Sequence, residues 1–92
     1  MHIVKKTFVT SLKPDQKTRF NDLLKTFKEK GFTILLGEFE IPEGTIGITR
    51  KFYSLNIFKE NVKIQEYKRD AKEPGTVLDA MASFLNDFEF FV

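Results

Sequence analysis

Apolar residues recur along this chain at two different spacings, and each spacing predicts an element. Phe20, Leu23, Leu24 and Phe27 stand at i, i+3, i+4 and i+7, which gathers them on one face of an α-helix. Pro14 can open that helix, because a first turn has no use for its missing N–H and its φ is already suitable. Asp15 suits the positive end of the helix dipole, and Gln16 can reach back to the cap position. Gly31 supplies the left-handed conformation that ends helices. A helix over about residues 14–30 follows, with Asp22 and Glu29 opposite the stripe and Lys17, Lys25 and Lys28 along one flank.

Elsewhere the period shortens to two. "IVKKTFVT", residues 3–10, is rich in β-branched and aromatic types and predicts a first strand. "FTILLGEFEI", residues 32–41, is apolar on both faces at its start, as a strand covered on both sides would be. "PEG" at 42–44 makes a turn, and "TIGITRKFYSL" returns from it. In that returning strand Ile46, Ile48 and Phe52 point one way, and Thr49, Lys51 and Tyr53 the other. Arg50 shares the apolar side, which calls for an edge position or a carboxylate partner. "NVKIQEYKR", residues 61–69, predicts a further strand with Val62 and Ile64 inward and Lys63, Gln65 and Tyr67 outward.

"KRDAKEPG", residues 68–75, is a loop, after which Thr76 and Asp79 form a T-x-x-D cap. Val77, Leu78, Met81, Phe84, Leu85 and Phe88 then mark a second amphipathic helix. The resulting order, β-α-β-β-β-α, defines one α+β domain over residues 1–92, a mainly antiparallel sheet with two helices packed on one face. A ferredoxin-like variant arises if the terminal "FEFFV" forms a last strand, and Phe90 falls outside the stripe of a continuous helix.

Composition narrows what such a domain can do. With 92 residues only about 60–65% of the unfolded surface can be buried, so the eleven phenylalanines must supply much of the core. Cysteine is absent, which removes disulfides, thiolate nucleophiles and Cys-based zinc sites. No hydrophobic block of signal-peptide or membrane-spanning length occurs, and a cytoplasmic protein without membrane contact is expected. The net charge is +2, but it is unevenly spread: residues 1–31 hold eight Lys/Arg against three Asp/Glu, and residues 56–92 five against seven. The preference for Phe, Lys, Ile, Thr and Asn over Ala matches an AT-rich genome such as that of a low-GC bacterium or its phage.

Catalytic constellations are hard to assemble from these residues. The lone histidine, His2, lies at a terminus expected to fray, so no Ser-His-Asp or Cys-His set can be built. Glu38 and Glu40 share one side of a strand, an arrangement that in principle binds a hard metal or divides acid and base roles, but alternating glutamates are ordinary on a wet strand face. The glycines of "GEFEIPEGTIG" do not lead from a strand into a helix, as phosphate-cradling loops do. The expectation is a protein with no enzymatic activity, cofactor or metal.

Two surfaces remain as candidates. Phe84, Phe88, Phe90 and Phe91 crowd the C-terminus, and rings that the small core cannot cover would form a protein interface or a homo-oligomer contact. An open sheet edge offers the same. Alternatively, Lys51, Tyr53, Lys63 and Tyr67, sharing an outward face with Thr49 and Gln65, would stack bases and neutralise phosphates, assisted by Lys17, Lys25 and Lys28. The leading expectation is therefore a small interaction protein, of the accessory or inhibitory kind found in phages and mobile elements, that binds a protein partner or itself. Nucleic-acid binding is the alternative.

Overall fold

The computed structural model describes residues 2–44 and 47–89, the last of these by its backbone only. Along the chain run β1 (Ile3–Val4), α1 (Lys6–Ser11), α2 (Pro14–Glu29), β2 (Phe32–Pro42), β3 (Thr49–Lys59), β4 (Val62–Asp70) and α3 (Gly75–Glu89). The strands form one sheet in the order β1-β2-β3-β4, with β1 parallel to β2 and the other two pairings antiparallel. The class is α+β, with a mixed four-stranded sheet.

The first predicted strand ends early. Lys5 N–H donates to Leu36 O at 2.9 Å, and the chain then turns into α1. The reason is tertiary: one helical turn brings Phe8 and Leu12 to the same side, and both are buried. Phe8 meets Phe20 and Tyr53 edge-on, with ring centroids 5.1 and 5.0 Å away. The β-branched and hydroxyl residues that suggested a strand adapt locally, Thr10 Oγ1 donating to Thr7 O and Ser11 Oγ to Phe8 O.

The helix predicted over 14–30 forms over nearly those residues. Lys13 N–H donates to Gln16 Oε1 at 2.9 Å, the reach-back expected of Gln16, and Gly31 has a φ of 84°. Phe20 and Phe27 are buried, with Leu23 and Leu24 packed against them. The cap expected from Thr76 and Asp79 is not made: Thr76 lies inside α3 and its hydroxyl donates to Glu73 O, while Asp79 pairs with Arg19 at 3.0 Å.

The inward face of β3 is the opposite of the one predicted. The strand runs on to Lys59, and its longest apolar alternation is Tyr53, Leu55 and Ile57, set opposite Glu38, Leu36 and Ile34 of β2. Those apolar residues are buried beneath the helices, so Phe52 and Arg50 go to the other face. Glu60 and Asn61, with φ of 52° and 66°, close the tight hairpin into β4, two successive positive values as a type I′ turn requires.

Phe84 joins the core, and Phe88 packs against it. Phe84 stacks on Phe27 at 5.8 Å, and Phe88 stands edge-on to Phe32 at 4.8 Å. The ferredoxin-like variant needed Phe88 and Glu89 in a strand, but both lie in α3; residues 90–92 fall outside the described residues.

Candidate interaction surface

Helices and core occupy one side of the sheet, so the other side can be read from the strand registers, since directly paired residues point the same way. On it lie Ile3 of β1, then Leu35, Phe39 and Ile41 of β2, and Phe52 and Phe58 of β3. Ile3 is 55% exposed, Leu35 38% and Ile41 47%. Phe39 and Phe52 stack at 5.4 Å, and cations flank them, Arg50 5.2 Å from the Phe52 centroid and Lys68 5.7 Å from that of Phe39.

Along β4 this open face becomes charged. Lys63, Glu66, Lys68 and Asp70 stand opposite Phe58, Asn56, Ser54 and Phe52. Arg50 meets the expectation of a carboxylate partner: its Nε and Nη2 both donate to Asp70 Oδ2, at 2.9 and 2.6 Å. The Lys72 N–H, donated to Oδ1, and then Arg50 hold the Asp70 carboxyl below its ordinary range. Lys63, 2.9 Å from Glu66, and then Lys68 do the same for Glu66. The cations of this face are thus already matched by carboxylates.

The residues expected to form a nucleic-acid face are not together. Tyr53 is 4% exposed and belongs to the core. Tyr67 pairs with Leu55, on the helix-covered side and half-buried there, whereas Lys63 faces the other way. A bulge separates them: Ile57 pairs with Gln65 and Phe58 with Lys63, leaving Ile64 as the extra residue. One added residue reverses the facing of everything before it, which strict alternation through 61–69 could not anticipate. Lys51 lies on the helix side and is exposed there, 3.8 Å from Glu38 and 3.9 Å from Glu40. These glutamates do share a side, as expected, with Lys51 between them and Thr7 Oγ1 donating to Glu38 at 2.8 Å. Lys17, Lys25 and Lys28 are exposed along α2.

Of the C-terminal rings, Phe84 and Phe88 are taken up in packing, while Phe90 and Phe91 lie outside the described residues. What sequence reasoning missed is the apolar set on the open face. Its signal was the length of β3: once that strand includes Ile57 and Phe58, Phe52 and Phe58 must share the side opposite Leu55.

His2 is anchored rather than frayed. Its Nε2 lies 2.9 Å from Leu24 O, and its Nδ1 accepts the Ile34 N–H at 3.1 Å, so the bonded ring is the neutral Nε2–H tautomer joining α2 to β2. Burial, and then the nearby amino terminus and Lys28, push its pKa below 6.5, against the opposing effect of the Leu24 carbonyl. The unfolded chain therefore takes up a proton more readily than the folded one. Stability is full above 6.5 and falls as pH drops through that value towards the lower folded pKa. The urea midpoint should decline between about pH 7.5 and 5.5, and His2→Gln, which keeps a donor and an acceptor but no titration, should flatten the decline. An equal decline in the variant would contradict this role.

Fold and face together define a small α+β domain whose sheet, among the described residues, is covered on one side only. The chain matches no known protein family, no curated protein and no solved structure. None of the helices among the described residues is long and apolar enough to cross a membrane.

Proposed function

We propose that this chain is a small non-enzymatic interaction protein whose working surface is the open face of its sheet and whose partner is a protein. The observation that supports it is the apolar set Ile3, Leu35, Phe39, Ile41, Phe52 and Phe58 on a face that no layer of the described residues covers. Leaving large side chains wet forgoes the free energy that drives burial, roughly 25 cal/mol for each Å², and exposed apolar side chains gathered on one face favour an interface. An apolar stripe beside a charged row matches the dry core and polar rim of protein interfaces.

The nucleic-acid alternative has less support. Tyr53 is not available to stack on a base, and Arg50, Lys63 and Lys68 face carboxylates with which phosphates would compete.

The test is a photo-crosslinking residue placed at Phe39 in cells, with the same residue at Lys25 on α2 as control. The expected result is a discrete protein adduct from Phe39 and none from Lys25. A nuclease-sensitive adduct would support the alternative, and no adduct from Phe39 would end the reading of this face as a working surface.

A further inference from the structure

Gly37 sits in the middle of β2, where glycine weakens a strand. Its φ is not positive, and a Cβ built on it would meet nothing within 4 Å. Neither backbone conformation nor crowding within this molecule calls for a glycine there. Its effect is a hole in the open face, directly beside the protruding Leu35.

Together with the charges of β4, this hole makes the face complementary to itself. Across the sheet, Leu36, Leu55 and Tyr67 form one row of paired residues. A two-fold axis along that row, lying between two copies packed face to face, sets Leu35 over the partner's Gly37 and Thr33 over the partner's Phe39. Asn56 falls over the partner's Ser54, and Phe58 over the partner's Phe52. The bulge brings Lys63 into step with Glu66, Lys68 and Asp70, giving the alternation plus, minus, plus, minus opposite every second residue of β3. Reversed by the axis, that row places Glu66 opposite the partner's Lys68, and Lys63 opposite the partner's Asp70, whose carboxylate Arg50 already holds, so the Glu66 and Lys68 contacts carry the charge match. Without the bulge Lys63 would leave this face, so the irregularity in β4 completes the match.

We propose that the partner of the open face is a second copy of this chain, in a two-fold symmetric sheet-on-sheet dimer with Leu35 of each copy seated over Gly37 of the other. This rests on the reading of the face as a protein-binding surface. Two-fold interfaces use the same patch twice and must be self-complementary, as this patch is in both shape and charge. Strands of about 37 Å across a width of about 14 Å give about 500 Å² per copy, or about 1,000 Å² in the pair, the lower bound for a specific interface. Aligned sheets cross at about 30°, so the contacts nearest the axis, Leu35 with Gly37 and Glu66 with Lys68, fit most closely.

Sedimentation equilibrium at tens to hundreds of micromolar tests the dimer, with circular dichroism and melting used to confirm that each variant folds. The wild-type mass should approach twice the 10.7 kDa of the chain. Glu66→Lys and Lys68→Glu each create two like-charge contacts across the axis and should weaken dimerisation at least tenfold. Mixed one to one, these two variants should form heterodimers, because each then meets the opposite charge. The double exchange Glu66→Lys with Lys68→Glu should restore the homodimer. Gly37→Leu has open space around its new side chain within one chain, so it should stay folded and become monomeric.

A monomeric wild type at all concentrations would overturn the proposal, as would a mixture of folded single variants that stays as monomeric as its components. A Gly37→Leu protein that dimerises as well as wild type would overturn this arrangement. Such failures are separable from failure of the face: a Phe39 crosslink to a protein of another mass keeps the face and removes the self-dimer, whereas no crosslink removes both.

Discussion

Phe8→Ala should cost this protein about 3–5 kcal/mol, the range for deleting a buried aromatic ring. A domain of this length has about 5–14 kcal/mol in total, so the loss is a large share of its stability. Phe8 is fully buried and touches Phe20 of α2 and Tyr53 of β3, linking α1, the longer helix and the sheet. Its removal leaves a cavity that those elements cannot close without moving together. The melting temperature should fall by at least about 12 °C, and Phe8→Leu should give back more than half of the loss by refilling the space. A change under about 1 kcal/mol in Phe8→Ala would mean that α1 is not docked on the core.

Tyr53 carries the second large effect. Tyr53→Ala should cost about 3 kcal/mol or more, while Tyr53→Phe, which keeps the edge-on ring, should cost less than about 1 kcal/mol. Urea unfolding with an unchanged slope measures both. A neutral Tyr53→Ala would mean that this ring is not part of the core and would remove one of the objections to nucleic-acid binding. The pair of variants also guards against a misreading, because lost ligand binding in Tyr53→Ala would report unfolding rather than a missing contact.

Both effects depend on facing, which local pattern determines only in part. Leu55 and Ile57 are inward because they lie opposite Leu36 and Ile34. A strand read as ending at Leu55 lacks Ile57 and gives more weight to Ile46, Ile48 and Phe52. Ile48 is 66% exposed beside the hairpin connection, where Glu43 N–H donates to Ile48 O at 2.7 Å. An isoleucine thus counted towards a core face that it does not join. The bulge at Ile64 misleads in the same way, since it is invisible to strict alternation and puts Gln65 and Tyr67 on the side opposite Lys63.

The α+β class, the long helix after Pro14 and the meander of longer strands were legible from residue order. Periodicity and caps act within a few residues of one another, and the free energies they represent do not depend on distant partners. Arg50 was legible in part, since a guanidinium on an apolar strand side calls for an edge position or a carboxylate, and Asp70 supplies the second. The end of the first strand, the burial of Tyr53, the anchoring of His2 between Leu24 and Ile34, and the apolar open face were decided by tertiary structure. Each depends on contacts between residues far apart in the chain. A side chain that suits either face of a strand, or either a strand or a helix, settles where those contacts bury the most apolar surface.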